Sequence, residues 1–456
     1  MVSWPQHAAA LALLCMLWVL ACNTLAEAGA GDTGAQVVRA PGMAKRIPVL
    51  EGGFIYPMLP FGPGNQLVGL REALVLGRLL RRTVVIHQIL PLHFKDEAAE
   101  GGPGGTRPLD FDQLYDFDRL SRQQSVATQE ELLRGGWSGR LDLVGSVGKR
   151  FLGADNLERF RRLNVTWGED TPFVDFHVFN CSNASLGHME AQMRPYKYAG
   201  FALYQTAVPD TGAARFRLKE TGHLCHDLYL QVSMTLVRSP HILNIAKRFR
   251  EQRLGGANAP YLAVHVRPYE DICFDVWTQE PFNSTRADEV CKNGNLYRVF
   301  QNQTLVYMRT LERRVKTSGA GRPRLFVMTH PVLRPVVTKL YQQVDLHPVY
   351  CDMPDLEAAV GHRSLSLLGV LEEEVASQAD FFLGSHVSSM TATVLQDRFA
   401  RGKSPNSTSV FVDTLSAPVK RKDPREAPRR PRRAPTRSPR KAPRKAPRRA
   451  PRNALR

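Results

Sequence analysis

This chain of 456 residues has little cysteine, no apolar run long enough for a comfortable membrane span, and a positive charge that is not spread along it. Its leading apolar run, residues 8–22, has 15 residues, short of the ~20 that a spanning helix needs. Small residues follow, and Ala26-Glu27-Ala28 fits a cleavage site, so residues 1–28 read as a secretory signal. Lys and Arg are missing ahead of the run, which keeps an uncleaved type II anchor open as the rival reading. Of seven cysteines, Cys15 and Cys22 lie in the leader. The other five, Cys181, Cys225, Cys273, Cys291 and Cys351, allow at most two disulfides and one thiol within the chain. Cys273 and Cys291 flank one loop-like insert and are the expected pair. No CxxC or His-rich spacing points to zinc, and neither a Walker A loop, a GxGxxG fingerprint nor a solenoid repeat is present.

The charge of +18 resembles that of a nucleic-acid binder until it is located. Residues 420–456 hold 17 Lys and Arg against Asp423 and Glu426, so this stretch carries +15 and the other 419 residues share +3. Its repeat, APRKAPRRAPR, places proline too densely for helix or sheet, so 419–456 reads as a disordered basic arm. Such an arm binds acidic surfaces by charge alone or is simply solvated; no specific nucleic acid is expected of the folded body. Six Asn-X-Ser/Thr sequons, at Asn164, Asn180, Asn183, Asn283, Asn302 and Asn406, agree with a lumenal address in the endoplasmic reticulum or Golgi. There the protein would be soluble after signal cleavage, or anchored.

Strand-like and helix-like segments alternate in two stretches. In the first, Gly53-Phe54-Ile55-Tyr56 reads as a strand, 65–82 as an amphipathic helix and 83–89 as a buried strand. Residues 91–240 read as long surface loops. In the second, strands at 261–266, 324–329, 347–351, 380–384 and 409–413 alternate with helices near 298–317, 332–343, 364–378 and 388–401. This predicts two doubly wound domains, 48–240 and 241–418, facing across a cleft.

Ligands of parallel sheets bind at the carboxyl ends of strands, and three such ends carry chemistry here. One is Phe61-Gly62-Pro63-Gly64-Asn65-Gln66, a Gly-rich turn feeding a helix. Another is His265-Val266-Arg267, followed by Asp271; a guanidinium at a strand end can grip phosphate with two parallel bonds. The last is SQADFFLGSHVSSMTA (377–392), where a strand breaks into a Ser-rich turn at a helix start. Backbone N–H groups and the hydroxyls of Ser388, Ser389 and Thr391 could meet phosphate there, or Ser388 or Ser389 could simply cap the helix. Glu372 and Asp380 nearby could accept from a guanine edge or sit on a helix face. Asp110-Phe111-Asp112 and Asp116-Phe117-Asp118 have the DxD spacing of metal–nucleotide-sugar sites, but no strand precedes them, so no metal is expected.

In the order and spacing of FGPGNQ, HVR…D and QADFFLGSHVSSMTA, the chain resembles the GDP-fucose protein O-fucosyltransferases, most closely the type that modifies EGF-like repeats. The likeness spans about 50–416 and is strong only near the motifs. It implies a GT-B fold with two Rossmann-like domains, GDP-fucose as co-substrate, no cofactor, and inverting, metal-independent transfer to a Ser or Thr hydroxyl. The N-terminal domain would face the acceptor, a protein that could carry EGF-like repeats, and the C-terminal domain the donor. Carried over by position, Gly62, Pro63, Gly64 and Asn65 would line the donor and reaction centre. His265, Val266 and Arg267 would hold GDP, with Arg267 catalytic at the β-phosphate. Ser388, Ser389 and Met390 would contact diphosphate or nucleoside, Glu372 the base, and Asp271 keeps the family's acid. Gly62 stands where the family often has Arg, and His330 where it has an acid. That loss leaves a GDP-fucose-binding pseudoenzyme or chaperone as an alternative, beside a fucosyltransferase acting on glycans. The general base is unassigned: an acid within 91–240, or the leaving phosphate itself, would take the hydroxyl proton.

Overall fold

A computed structural model describes residues 50, 52–59, 62–90, 108–146, 160–175, 182–202, 225–268, 296–318, 321–361, 363–385 and 388–411. All belong to one compact unit, Pro48–Arg456. The leader, the basic arm, Asp271, Asn180, Asn283 and the Cys273 and Cys291 pair fall outside them. Among the described residues no helix is long and apolar enough to cross a membrane.

Two wholly parallel sheets organise the chain. The first contains β1 (Phe54–Pro57), β2 (Thr83–Ile86), β3 (Val126–Thr128), β4 (Leu143–Ser146), β5 (Phe173–Asp175) and β6 (Tyr198–Ala202), in the order β3-β2-β1-β6-β4-β5. The second contains β7 (Tyr261–His265), β8 (Arg324–Met328), β9 (Pro348–Val349), β10 (Phe381–Gly384) and β11 (Thr408–Val410), in the order β11-β10-β7-β8-β9. In both, the first strand is central and the chain leaves it in both directions. That makes β1 and β7 switch-point strands, where the helices diverge and a crevice opens.

The helices are α1 (Pro63–Leu79), α2 (Phe111–Leu114), α3 (Phe117–Gln123), α4 (Gln129–Arg134), α5 (Asn183–Met193), α6 (His226–Thr235) and α7 (Pro240–Arg253), then α8 (Leu296–Ser318), α9 (Arg334–Gln342), α10 (Met353–Val360), α11 (Leu365–Gln378) and α12 (Ser389–Ala400). Residues 91–240 depart from the expectation of surface loops, since β3 to β6 and α2 to α6 lie there. These strands are short, and Gly145 and Gly200 interrupt β4 and β6. Gly200 is packed closely: a Cβ there would displace the end of the Leu141 side chain.

Helix α1 is not amphipathic, as its leucine spacing suggested, but buried on nearly every side. It packs against both α6 and α12, and so joins the layers of the two sheets. Its polar residues find partners across that junction. Arg71, fully buried, donates to Gln396 and to Asp397 of α12. Asp397 is also 3.5 Å from Arg238, which donates to Tyr115 Oη and bonds Glu373 at 2.8 Å. Glu374 pairs with Arg401 at 2.6 Å. Burying charge is costly unless each charge is matched, and here arginines and carboxylates alternate.

The DxD pairs are helix starts. Asp110 precedes α2 and accepts from Gln88 Nε2 at 2.7 Å, while Asp116 caps α3 by accepting the Arg119 N–H at 2.8 Å. Cys225 is disulfide-bonded, with its partner outside the described residues, and Cys351 is a buried free thiol. Asn164, Asn183, Asn302 and Asn406 are all exposed.

Candidate active site

One strand of each sheet runs into a helix start. Beyond β1, Gly62 caps α1 with no side-chain bond, and Pro63 at the first turn suits a position that has no N–H to satisfy. Beyond β10, Ser388 occupies the cap of α12, again without a side-chain cap bond. These two helix starts touch. A Cβ on Gly64 would lie 3.1 Å from Ser389 Oγ and 3.3 Å from the Met390 nitrogen, so glycine is what permits the approach. Two sets of unbonded backbone N–H groups, and two positive dipole ends, therefore meet at one place. Gln66 fixes the neighbouring loop: its amide donates to Leu90 O at 2.7 Å and accepts the Leu90 N–H at 2.9 Å.

The segment after β7 is held from the adjacent strand. Ser385 Oγ donates to His265 O at 2.7 Å and accepts the Arg267 N–H at 2.8 Å. Thr329 Oγ1 donates to Val266 O at 2.8 Å from the other side. Val266 is buried, whereas Arg267 is exposed, its backbone fixed and its guanidinium without an ion-pair partner among the described residues. His265 Nδ1 lies 2.8 Å from Thr391 Oγ1. Burial, and then the charge of Arg267, push its imidazole down to about 3. It is therefore neutral near pH 7 and ties β7 to α12.

The Ser-rich turn divides its hydroxyls. Thr391 is spent on His265, not left for a ligand as its position in the turn suggested. Ser389 Oγ faces Gly64. Ser388 Oγ is buried and has no hydrogen-bond partner among the described residues. Gly384 shows how tightly strand and helix meet: a Cβ there would fall 2.2 Å from Thr391 Cγ2 and 2.8 Å from its Oγ1. Gly384→Ala is thus expected to displace Thr391 from His265 and destabilise the fold by about 1–3 kcal/mol, read as a lowered denaturation midpoint.

Met390 Cε lies 3.3 Å from where a Cβ on Gly369 of α11 would sit. Glu372 is three residues further along the same face of α11. The Glu372 carboxylate is 3.3 Å from Arg334, which also pairs with Asp352 at 3.2 Å and donates to Cys351 O at 2.7 Å. Burial pushes the Glu372 carboxyl up to about 8, with Arg334 pulling the other way. Asp380 does not join this site. It precedes β10 at the opposite end of the sheet and accepts the Tyr261 N–H at 3.0 Å. His330 caps the short turn 331–333 after β8, accepting the Val332 N–H at 3.4 Å. Thr329 and Arg334 lie outside the motifs read in the sequence, and Gln66 and Ser385 lie within them without an assigned role, because each acts through a neighbour.

No protein-family model matches the chain, and no curated protein matches it in sequence. Solved structures do match it in shape. A crystal structure of POFUT1 in complex with GDP-fucose superposes with a TM-score of 0.51 at 16% identity, covering 80% of this chain and 99% of that one. POFUT1 in its apo form gives 0.50 at 15% identity, covering 81% and 99%. POFUT1 in complex with GDP gives 0.50 at 15%, covering 79% and 99%. The chain therefore has an α/β fold of the GT-B type, with two parallel sheets, which it shares with these structures.

Proposed function

We propose that this protein transfers fucose from GDP-fucose to a Ser or Thr hydroxyl of a protein in the secretory pathway, with inversion and without a metal. One observation carries the reading. Two helix starts, from different sheets, meet beside a switch-point strand whose exposed Arg267 has a fixed backbone and a guanidinium without an ion-pair partner among the described residues. That is an arrangement for a diphosphate, which backbone N–H groups and an arginine fork bind well. Gly64, Arg267 and Ser389, one from each stretch that resembles the family's motifs, support the reading, and POFUT1, whose crystal structures hold GDP-fucose and GDP, shares the fold.

In the reaction the bond from fucose C1 to the β-phosphate oxygen breaks, one from C1 to the acceptor oxygen forms, and the hydroxyl proton passes to the departing β-phosphate or to an acid within 91–240. Charge grows on the β-phosphate, where Arg267 and the N–H groups near Ser388 and Ser389 would meet it. Gly62, Pro63, Gly64 and Asn65 would border the sugar. His265 is too weak a base at neutral pH to take the hydroxyl proton, so it serves to position Val266 and Arg267. Glu372 would accept from the N1–H and 2-amino group of guanine.

A donor screen tests the proposal, comparing GDP-fucose with GDP-mannose and UDP-sugars, with and without folded EGF-like repeats. Release of GDP from GDP-fucose alone, stimulated by the repeats, is expected. Binding without transfer would favour the pseudoenzyme reading that Gly62 motivates, and failure to bind any guanine nucleotide would refute both. The role of Glu372 has its own signature. A carboxyl at about 8 in the free protein must lose its proton to accept from guanine. GDP affinity should then rise with pH up to about 8, by as much as tenfold per unit, and level off above. Titration calorimetry in buffers of different ionisation heat should show proton release, and Glu372→Gln should flatten the profile.

A further inference from the structure

A cavity of about 670 Å³ lies away from this site, between α3 and the end of α6 on one side and α7, α11 and α12 on the other. Tyr261 and Asp380 line it, so it sits at the amino ends of β7 and β10, whereas the candidate active site is at their carboxyl ends. Four cations face it: Arg119, Arg250, Arg401 and Lys403. Its three carboxylates are already engaged. Glu374 holds Arg401 at 2.6 and 3.0 Å, Asp397 pairs with Arg71 and Arg238, and Asp380 accepts the Tyr261 N–H. The cations are less occupied. Arg119 is exposed and has no ion-pair partner among the described residues. Arg250 donates to Ala257 O at 3.0 Å, while its Nε finds no partner. Among the described residues Lys403 reaches only a carbonyl, Gln378 O, at 3.1 Å.

The surroundings raise the positive potential further. Arg398 is buried behind Asp380, and among the described residues it donates to carbonyls and hydroxyls, not to a carboxylate. Burial and the charges of Arg398, Arg401 and Arg250 all push the Lys403 amine down, against Asp380 alone. A site where cations repel one another and the acids are spent is stabilised by an added anion. Met234, Leu236, Val237 and Leu243 supply an apolar wall, so an anion attached to an organic group fits better than a bare ion.

We propose that this cavity is a second ligand site, which takes a tetrahedral anion carried on a small organic group, a phosphate or sulfate ester. Arg119 and Lys403 would grip the anion from the two sheets' sides, and the ligand would brace them. The inference does not depend on the fucosyltransferase reading.

The test uses the full chain with the first site saturated by GDP, so that binding there is not counted; if GDP does not bind, the variants below still separate the two sites. Inorganic phosphate, pyrophosphate, sulfate, glucose 6-phosphate and a sulfated monosaccharide are titrated while thermal stability and binding heat are followed. Sodium chloride at equal ionic strength is the control. A saturable rise in midpoint is expected with the phosphate or the sulfate set, and the better of the two identifies the source. Arg119→Glu and, separately, Lys403→Glu should weaken that binding about tenfold or more. GDP binding, where present, should be unchanged in both. Equal effects of chloride, or saturable binding that neither variant alters, would overturn the proposal. Arg119 is exposed, so its variant is expected to fold even if that at Lys403 does not.

Discussion

Arg267→Ala is expected to slow fucosyl transfer by about a thousandfold while leaving the fold intact. The side chain is exposed and unpaired among the described residues, so its loss strands no buried partner. Its backbone is held by Ser385, which the substitution does not touch. What disappears is a charge aimed at the diphosphate as the sugar departs. An interaction made chiefly in the transition state lowers kcat and kcat/KM together, and leaves affinity for GDP nearly unchanged. Single-turnover rates beside GDP calorimetry separate these cases. A fall in affinity as large as the fall in rate would reassign Arg267 to ground-state binding, and an unchanged rate would remove it from the mechanism. Lys at this position should recover only part of the rate, since an ammonium is a point charge without the planar fork.

The largest expected effect on stability comes from the middle of α1. Arg71→Ala should cost about 3–5 kcal/mol, because it leaves Asp397 buried without its nearest counter-charge. Arg238, at 3.5 Å from Asp397, also bonds Glu373 and cannot compensate in full. The denaturation midpoint measures this. The double replacement Arg71→Leu with Asp397→Leu should be milder than Arg71→Ala, since removing both charges leaves neither unpaired. A single variant as stable as the parent would mean that water or a rearranged neighbour reaches Asp397.

Much of the second sheet was legible from residues alone. β7, β8 and β10 are β-branched or aromatic runs, each ended by Pro, Gly or a polar turn, and their helices follow at regular spacing. The site motifs stood out because they lie at those ends. The first sheet was harder. β3 and β5 have three residues each, too few for a period to register. The buried charges were harder still. Glu372, expected at a guanine edge or on a helix face, is buried with its neighbours Glu373 and Glu374, each with its own arginine partner. The partners lie far away in sequence, so no local pattern announces them. The same holds for Ser385 and Gln66, whose bonds only the fold brings together.

The pairing of Arg71 with Asp397 spans 326 positions, and that separation bears on how the protein is made. α1 leaves the ribosome early, while α12 is among the last elements to appear. At the usual 5–20 residues per second, roughly 16–65 s separate the two. Throughout that interval the arginine lacks its closest carboxylate, and the apolar surface of α1 lacks the layer that covers it. The first sheet can form during synthesis, but the helix at its centre is satisfied only when the chain is nearly complete. Unfinished chains would therefore expose a sticky central helix, and folding would reach its end late and over a long loop. An ion pair that looks like a mere fastening in the finished molecule thus also sets when the molecule is finished.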